Sequence, residues 1–175
     1  MAGAGYTFLA KLLHWLTALL VIGLLCLGLW MVGLPNGGLK SGSIAWHKGI
    51  GVTVLALTVL RLLWLWRAKA PALPASVGPW ERRLAPWSHT MLLVLLLVMP
   101  ISGWLMSSAG GNSVVWFGVL PLPDLVDRDP LLAKMLRTLH HWSAYALIAV
   151  IVLHVGAVIR HDMLRRDGIF RRMWF

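Results

Sequence analysis

Four stretches of the chain are almost wholly apolar, at about 8–32, 44–66, 87–106 and 138–159, and shorter polar segments separate them. Each is about 20 residues or longer, enough to cross a ~30 Å hydrocarbon layer as an α-helix. Helix is required there because lipid satisfies no backbone N–H or C=O group. The pattern predicts an all-α protein: an integral membrane four-helix bundle, with 1–175 forming a single transmembrane domain. The first stretch does not read as a signal peptide. It is long, carries Lys11 and His14 near its start, and is followed by no small-residue cleavage site. Residues 114–125 are also apolar, but the stretch is short and broken by Pro121 and Pro123, so it is expected to be an interfacial loop and not a fifth span. Pro100 falls inside the third stretch, where neighbouring helices can cover the carbonyl it frees.

Composition supports this reading. Of 175 residues, 59% are hydrophobic and only 13% charged, against about a quarter charged in soluble domains. So much apolar surface cannot be hidden in one small core. The formal charge of +10 would otherwise point to nucleic acid, but the cations sit in short connections beside the apolar stretches, where they report topology. Arg61, Arg67, Lys69, Arg82 and Arg83 lie in or beside the second connection, and Arg160, Arg165, Arg166, Arg171 and Arg172 in the tail. The first connection has Lys40, with Lys48 just inside the next span, and the third mixes Arg128, Lys134 and Arg137 with Asp124, Asp127 and Asp129. The positive-inside rule then predicts cytoplasmic N- and C-termini. Trp46, Trp64, Trp66, Trp87, Trp104 and Trp142 fall near span ends, as an interfacial aromatic belt would. The single cysteine, Cys26, permits no intrachain disulfide and no thioether-linked haem. It is expected to be a small packing residue or to face lipid.

The spans hold few acids but most of the seven histidines. Ionisable groups inside a membrane are costly and usually functional, and neutral imidazole is a strong iron ligand. Depth selects two pairs. His14 and His154 lie about equally far from the cytoplasmic ends of the first and fourth spans, and His47 and His140 near the outer ends of the second and fourth. Along the fourth span, the 14 residues from His140 to His154 make ~21 Å of helix and leave the two only ~40° apart around its axis. His141 is ~140° from His154 on the same count, which makes His140 the better inward ligand, although His141-Trp142 echoes His14-Trp15. Gly51 is one turn from His47, where a missing side chain lets a flat macrocycle approach. His89 and His161 are left near the cytoplasmic side. Each is either an interfacial residue or a proton donor for a quinone headgroup. Lys48 adjoins His47, and Arg137 precedes His140 by about one turn. They either neutralise haem propionates or steer a small anion to the outer site.

The chain resembles, over nearly its whole length, the bacterial cytochrome b561 family of small four-helix membrane proteins. The resemblance rests on Leu13-His14-Trp15, His47-Lys48-Gly49-Ile50-Gly51 leading to Val59-Leu60-Arg61, and Met99-Pro100-Ile101-Ser102-Gly103-Trp104. It continues in Trp116-Phe117-Gly118 with Pro121-Leu122-Pro123, in His140 through Ala144-Tyr145-Ala146 to His154, and in the trailing His161. It implies two non-covalent haems b with His14, His47, His140 and His154 as axial ligands, a multi-pass location in the bacterial inner membrane, and a link to the quinone pool. Some relatives resemble superoxide oxidases that reduce ubiquinone, and others serve as membrane subunits for a dehydrogenase or periplasmic partner. His141 stands where relatives often carry an acid.

Three functions compete. One is an oxidoreductase taking electrons from superoxide or another outer donor to ubiquinone. The second is an electron-transfer module that docks a periplasmic redox partner and has no substrate chemistry of its own. The third, a non-redox carrier, leaves the paired histidines unexplained and lacks the intramembrane acids or broken repeats of many transporters.

Overall fold

A computed structural model describes residues 5–68, 71–74 and 76–175; Lys69, counted above among the topology-setting cations, lies outside the described residues. Four long helices dominate: α1 Phe8–Val32, α2 Gly38–Arg67, α3 Pro79–Ala109 and α4 Pro130–Ile159. All four are long and apolar enough to cross a membrane. Helices α2 to α4 begin well before the apolar stretches expected from hydropathy. The reason is that hydrophobicity marks where lipid begins, whereas helices end where backbone caps are available. Thr7 caps α1, its Oγ1 accepting from the Ala10 N–H at 3.3 Å. The Asp129 carboxylate caps α4 by accepting from the N–H groups of Leu131 and Leu132, with Pro130 at the first helical position. At the start of α3 the Glu81 carboxylate reaches back to the Gly78 N–H at 2.8 Å.

The longer helices shrink the connections between them. Residues 33–37 join α1 to α2, and residues 110–129 join α3 to α4. The 114–125 stretch is not a span. It holds a small antiparallel hairpin, β1 Val115–Trp116 with β2 Leu120–Pro121, which sequence reading left as an irregular loop. Beyond α4 the chain widens into a π-helical turn, Arg160–Arg165, and then a short helix α5, Ile169–Met173. This tail folds back under α1. The Tyr6 N–H donates to the Arg172 carbonyl at 3.1 Å, and Trp15 Nε1 donates to the Met173 carbonyl at 2.8 Å. Both termini therefore lie at one end of the bundle.

Little of the helix surface is buried, as expected where lipid is the solvent. Trp66, Trp87 and Trp174 are exposed at the end carrying the termini, and Trp30, Trp46 and Trp142 at the other. Cys26 is exposed on the apolar surface. The buried core is a band midway along the helices, formed by Val21, Val54, Leu95, Leu96 and Leu147. Backbone packing runs from α1 to α2, α2 to α3 and α3 to α4. The α1–α4 seam has no comparable close backbone approach.

Candidate haem sites

The core residues Val21, Val54, Leu96 and Leu147 share a register that extends in both directions. Seven residues along each helix in one direction are Gly28, His47, Gly103 and His140. Seven in the other are His14, Arg61, His89 and His154. A seven-residue step is two turns of a slightly underwound helix, so it returns to the same face. The bundle interior is thus built of three layers ~10.5 Å apart along the helix: a histidine level, an aliphatic floor and a second histidine level.

At the level farther from the termini, the His47 and His140 rings lie 6.3 Å apart between centroids. At the level nearer the termini, the His14 and His154 rings lie 6.4 Å apart. An imidazole–metal bond of ~2.0 Å, added to ~1.1 Å from ring nitrogen to ring centre, puts two trans ligands ~6.2 Å apart. Both pairs thus have the separation needed for one iron between them. His89 lies only 5.4 Å from His154, closer than two imidazoles on opposite sides of one metal, so it flanks the pair. Among the described residues no three His, Cys, Asp or Glu side chains gather to hold a bare ion. Two imidazoles suit a metal whose remaining positions a macrocycle fills.

The His47 level is shaped for such a group. A cavity of about 260 Å³ opens between His47 and His140, walled by Leu24, Leu25, Val54, Met99 and Leu147 and by Gly51. A Cβ added at Gly51 would meet nothing within 4 Å. Gly28 and Gly103 act differently, by backing the ligands. A Cβ at Gly28 would stand 3.1 Å from His47 Cε1, and one at Gly103 would stand 3.2 Å from His140 Cε1. His140 Nδ1 lies 3.0 Å from the Met99 carbonyl and 3.1 Å from Ser102 Oγ. A carbonyl only accepts, so Nδ1 carries the hydrogen and Nε2 keeps its lone pair for a metal. His14 and His47 each bury an Nδ1 atom with no hydrogen-bond partner among the described residues. Their desolvation is uncompensated in the protein alone, and ligation through the ring would offset it.

The other sequence-selected residues separate into distinct places. His141, one residue past the inward position, is exposed and also borders the cavity beside His140. Lys48 Nζ donates to the Asn112 carbonyl at 3.2 Å and so ties α2 to the α3–α4 connection, while Arg137 is exposed on α4. His89 and His161, the two quinone-side candidates, have different surroundings. His89 belongs to the His14 level. His161 sits in the π-helical turn, buried, with Nδ1 2.5 Å from Asp167 Oδ2 and Nε2 3.9 Å from Glu81 Oε1. Its immediate partners are therefore carboxylates, where the sequence had placed it among cations. Arg160 and Arg165 close the cluster on Glu81 at 2.5 and 3.0 Å. Sequence reasoning missed Gly28, Gly103, Ser102 and the place of Arg61 inside the bundle. A 14-residue spacing from the histidine on the same helix was the signal that pointed to three of them.

Two comparisons with known proteins accord with this geometry. A family model described as prokaryotic cytochrome b561 matches residues 5–175. The chain is also 31% identical over 171 residues to cytochrome b561 homolog 2 of Escherichia coli strain K12, an alignment covering 96% of this chain and 90% of that protein.

Proposed function

The chain belongs to the prokaryotic cytochrome b561 family of haem b-binding membrane electron-transfer proteins, and from that premise we propose that it holds two haems b and links an outer electron donor to the membrane quinone pool. His14 with His154, and His47 with His140, are the axial ligands. The observation that carries this reading is the pair of ring separations, 6.4 and 6.3 Å, each suited to one iron and set 14 residues apart along α4. Haem iron between two imidazoles supplies reversible one-electron transfer. The protein supplies two histidine levels, an aliphatic layer between them and an α1–α4 seam with less close backbone contact than the other three.

The cation-rich end carrying both termini is the cytoplasmic side of a bacterial inner membrane. Superoxide is the donor this reading favours. Two superoxide ions giving up one electron each, with two protons, account for two dioxygen molecules and one ubiquinol. Lys48 and Arg137 draw the anion to the outer level. On the cytoplasmic side His161, held by Asp167 and facing Glu81, has carboxylates to resupply a proton to a quinone headgroup. His89 is the second candidate donor.

Reduced-minus-oxidised spectra with haem quantification test the dihaem state, and one haem or none per chain would sink it. Superoxide-driven quinone reduction by the purified protein tests the donor. Two haems without that activity would mean that the chain serves as the membrane subunit of a docked periplasmic or dehydrogenase partner. His161→Ala and His89→Ala with unchanged quinone reduction rates would remove both from the quinone site.

A further inference from the structure

The His14 level carries one cation, Arg61, that no carboxylate of the described residues pairs with. α2 and α4 run in the same direction from the His47 level, where His47 and His140 face one another. Arg61 follows His47 by the same 14 residues by which His154 follows His140. The step returns each to its starting face with the same offset, so Arg61 enters the bundle level with His154. His14, His89 and His154 all lie within its electrostatic reach. Arg61 is partly buried, and it makes no ion pair or hydrogen bond among the described residues.

The chain has only six acidic side chains, and none can serve Arg61. Helices α1 and α2 contain none. Glu81 is taken by Gly78, Arg160 and Arg165, and Asp167 by His161. Asp124, Asp127 and Asp129 belong to the connection at the far end, and Asp162 lies in the π-helical turn beyond α4. A guanidinium inside a membrane bundle without a carboxylate is expensive. It is also the side chain best suited to bind a carboxylate through two parallel hydrogen bonds.

We propose that Arg61 is the counter-ion of the haem propionates at the His14 level, so that the carboxylates missing from the protein arrive with the cofactor. The same charge sets that haem apart from its partner. Reduction adds one negative charge at the iron, and a fixed cation nearby favours the reduced form. Arg61 is a positioning and tuning residue and takes no part in ligation.

This inference rests on two haems being bound, and the wild-type spectrum tests that separately: a wild type lacking a haem at the His14 level fails the dihaem reading itself. Given two haems, the test is a redox titration of the purified protein with Arg61→Gln and Arg61→Lys, read alongside the propionate bending bands in resonance Raman. In Arg61→Gln the reduction equilibrium of one haem should fall about tenfold or more, ~59 mV per tenfold for a one-electron couple. The other haem should stay within about twofold, and the propionate bands of the affected haem should shift. Arg61→Lys should restore most of the potential. If Arg61→Gln loses that haem while Arg61→Lys keeps it, the need for charge is upheld. Unchanged potentials and bands in Arg61→Gln would overturn the proposal. So would loss of the haem in both variants, because shape and not charge would then be what Arg61 supplies.

Discussion

The two histidine levels hold their paired rings at nearly the same separation but surround them in opposite ways. At the His47 level the other two inward positions are Gly28 and Gly103, whose missing side chains let the histidine rings pack close to their backbones. At the His14 level the same register holds Arg61 and His89, which fill the space with ionisable groups. One level positions its ligands by packing and by hydrogen bonds to α3. The other surrounds them with charge. The contrast teaches that a repeated scaffold can surround the same histidine pair in two electrostatically distinct ways, through the two inward positions per level that do not carry the paired rings. Burial strengthens the difference, because charge acts further where water is excluded.

The largest expected effect comes from removing ligands one level at a time. His47→Ala or His140→Ala should reduce haem content from two to one per chain and leave the His14 level intact. His14→Ala or His154→Ala should do the reverse. Pyridine haemochrome quantification with low-temperature EPR separates the two signals. His141→Ala should keep both haems, since that ring is exposed. Two bis-histidine haems in all four ligand variants would break the comparison at its base.

Next in size are the glycines. Gly28→Val and Gly103→Val would drive a branched side chain into a ring edge that already stands 3.1–3.2 Å from a bare Cβ position. Overpacking of this kind costs about 1–3 kcal/mol. Either change should weaken or distort the haem at the His47 level, visible as lost low-spin signal, and spare the other. Equal disturbance of both haems would show that the levels are not independently packed.

The four apolar runs and the depth-matched histidines were legible in the sequence because both follow from local helical rise and period. The choice of His140 over His141 followed from phase alone; His141 is exposed and also borders the cavity beside His140. Arg61 was readable by the same arithmetic, but counting it as a connection cation hid its place in the bundle. The remainder depended on contacts between distant segments. Nothing local announces that the Met99 carbonyl would meet His140, or that Glu81 and Asp167 would meet at His161. The hairpin at 115–121 was hidden because it is two residues wide. It is pinned by tertiary contacts such as the Trp116 Nε1 bond to Thr53 Oγ1 at 3.1 Å.

A smaller effect should follow from Ser102→Ala. Ser102 Oγ lies 2.9 Å from the Met99 carbonyl and 3.1 Å from His140 Nδ1, so it steadies the acceptor as well as the ring. Met99 remains to fix the tautomer, so both haems should be retained. Loss of one outer hydrogen bond to a metal-ligating histidine typically weakens metal binding about 10-fold or more. Faster haem loss from the His47 level alone, followed by transfer to an acceptor protein, is the expected result. An unchanged rate would mean that the Met99 carbonyl carries the orientation by itself.

The smallest effect sharpens the contrast in charge. At the His47 level Arg137 is exposed, and Lys48 is partly buried but reaches out to the Asn112 carbonyl in an exposed bond. At the His14 level Arg61 is partly buried within the bundle. Salt screens the first kind of charge and barely touches the second, since the screening length falls from ~30 Å at 0.01 M to ~8 Å at 0.15 M. Superoxide-driven haem reduction, followed by stopped flow, should therefore slow as salt rises, with Lys48→Gln and Arg137→Gln each lowering the low-salt rate about two- to threefold. Arg137 should matter more, because Asp124 offsets part of the Lys48 charge. The midpoint potential of the His14-level haem should stay nearly constant over the same salt range. A salt-independent reduction rate, unaffected by either substitution in protein retaining both haems, would rule out steering at the outer level and favour electron delivery by a docked partner.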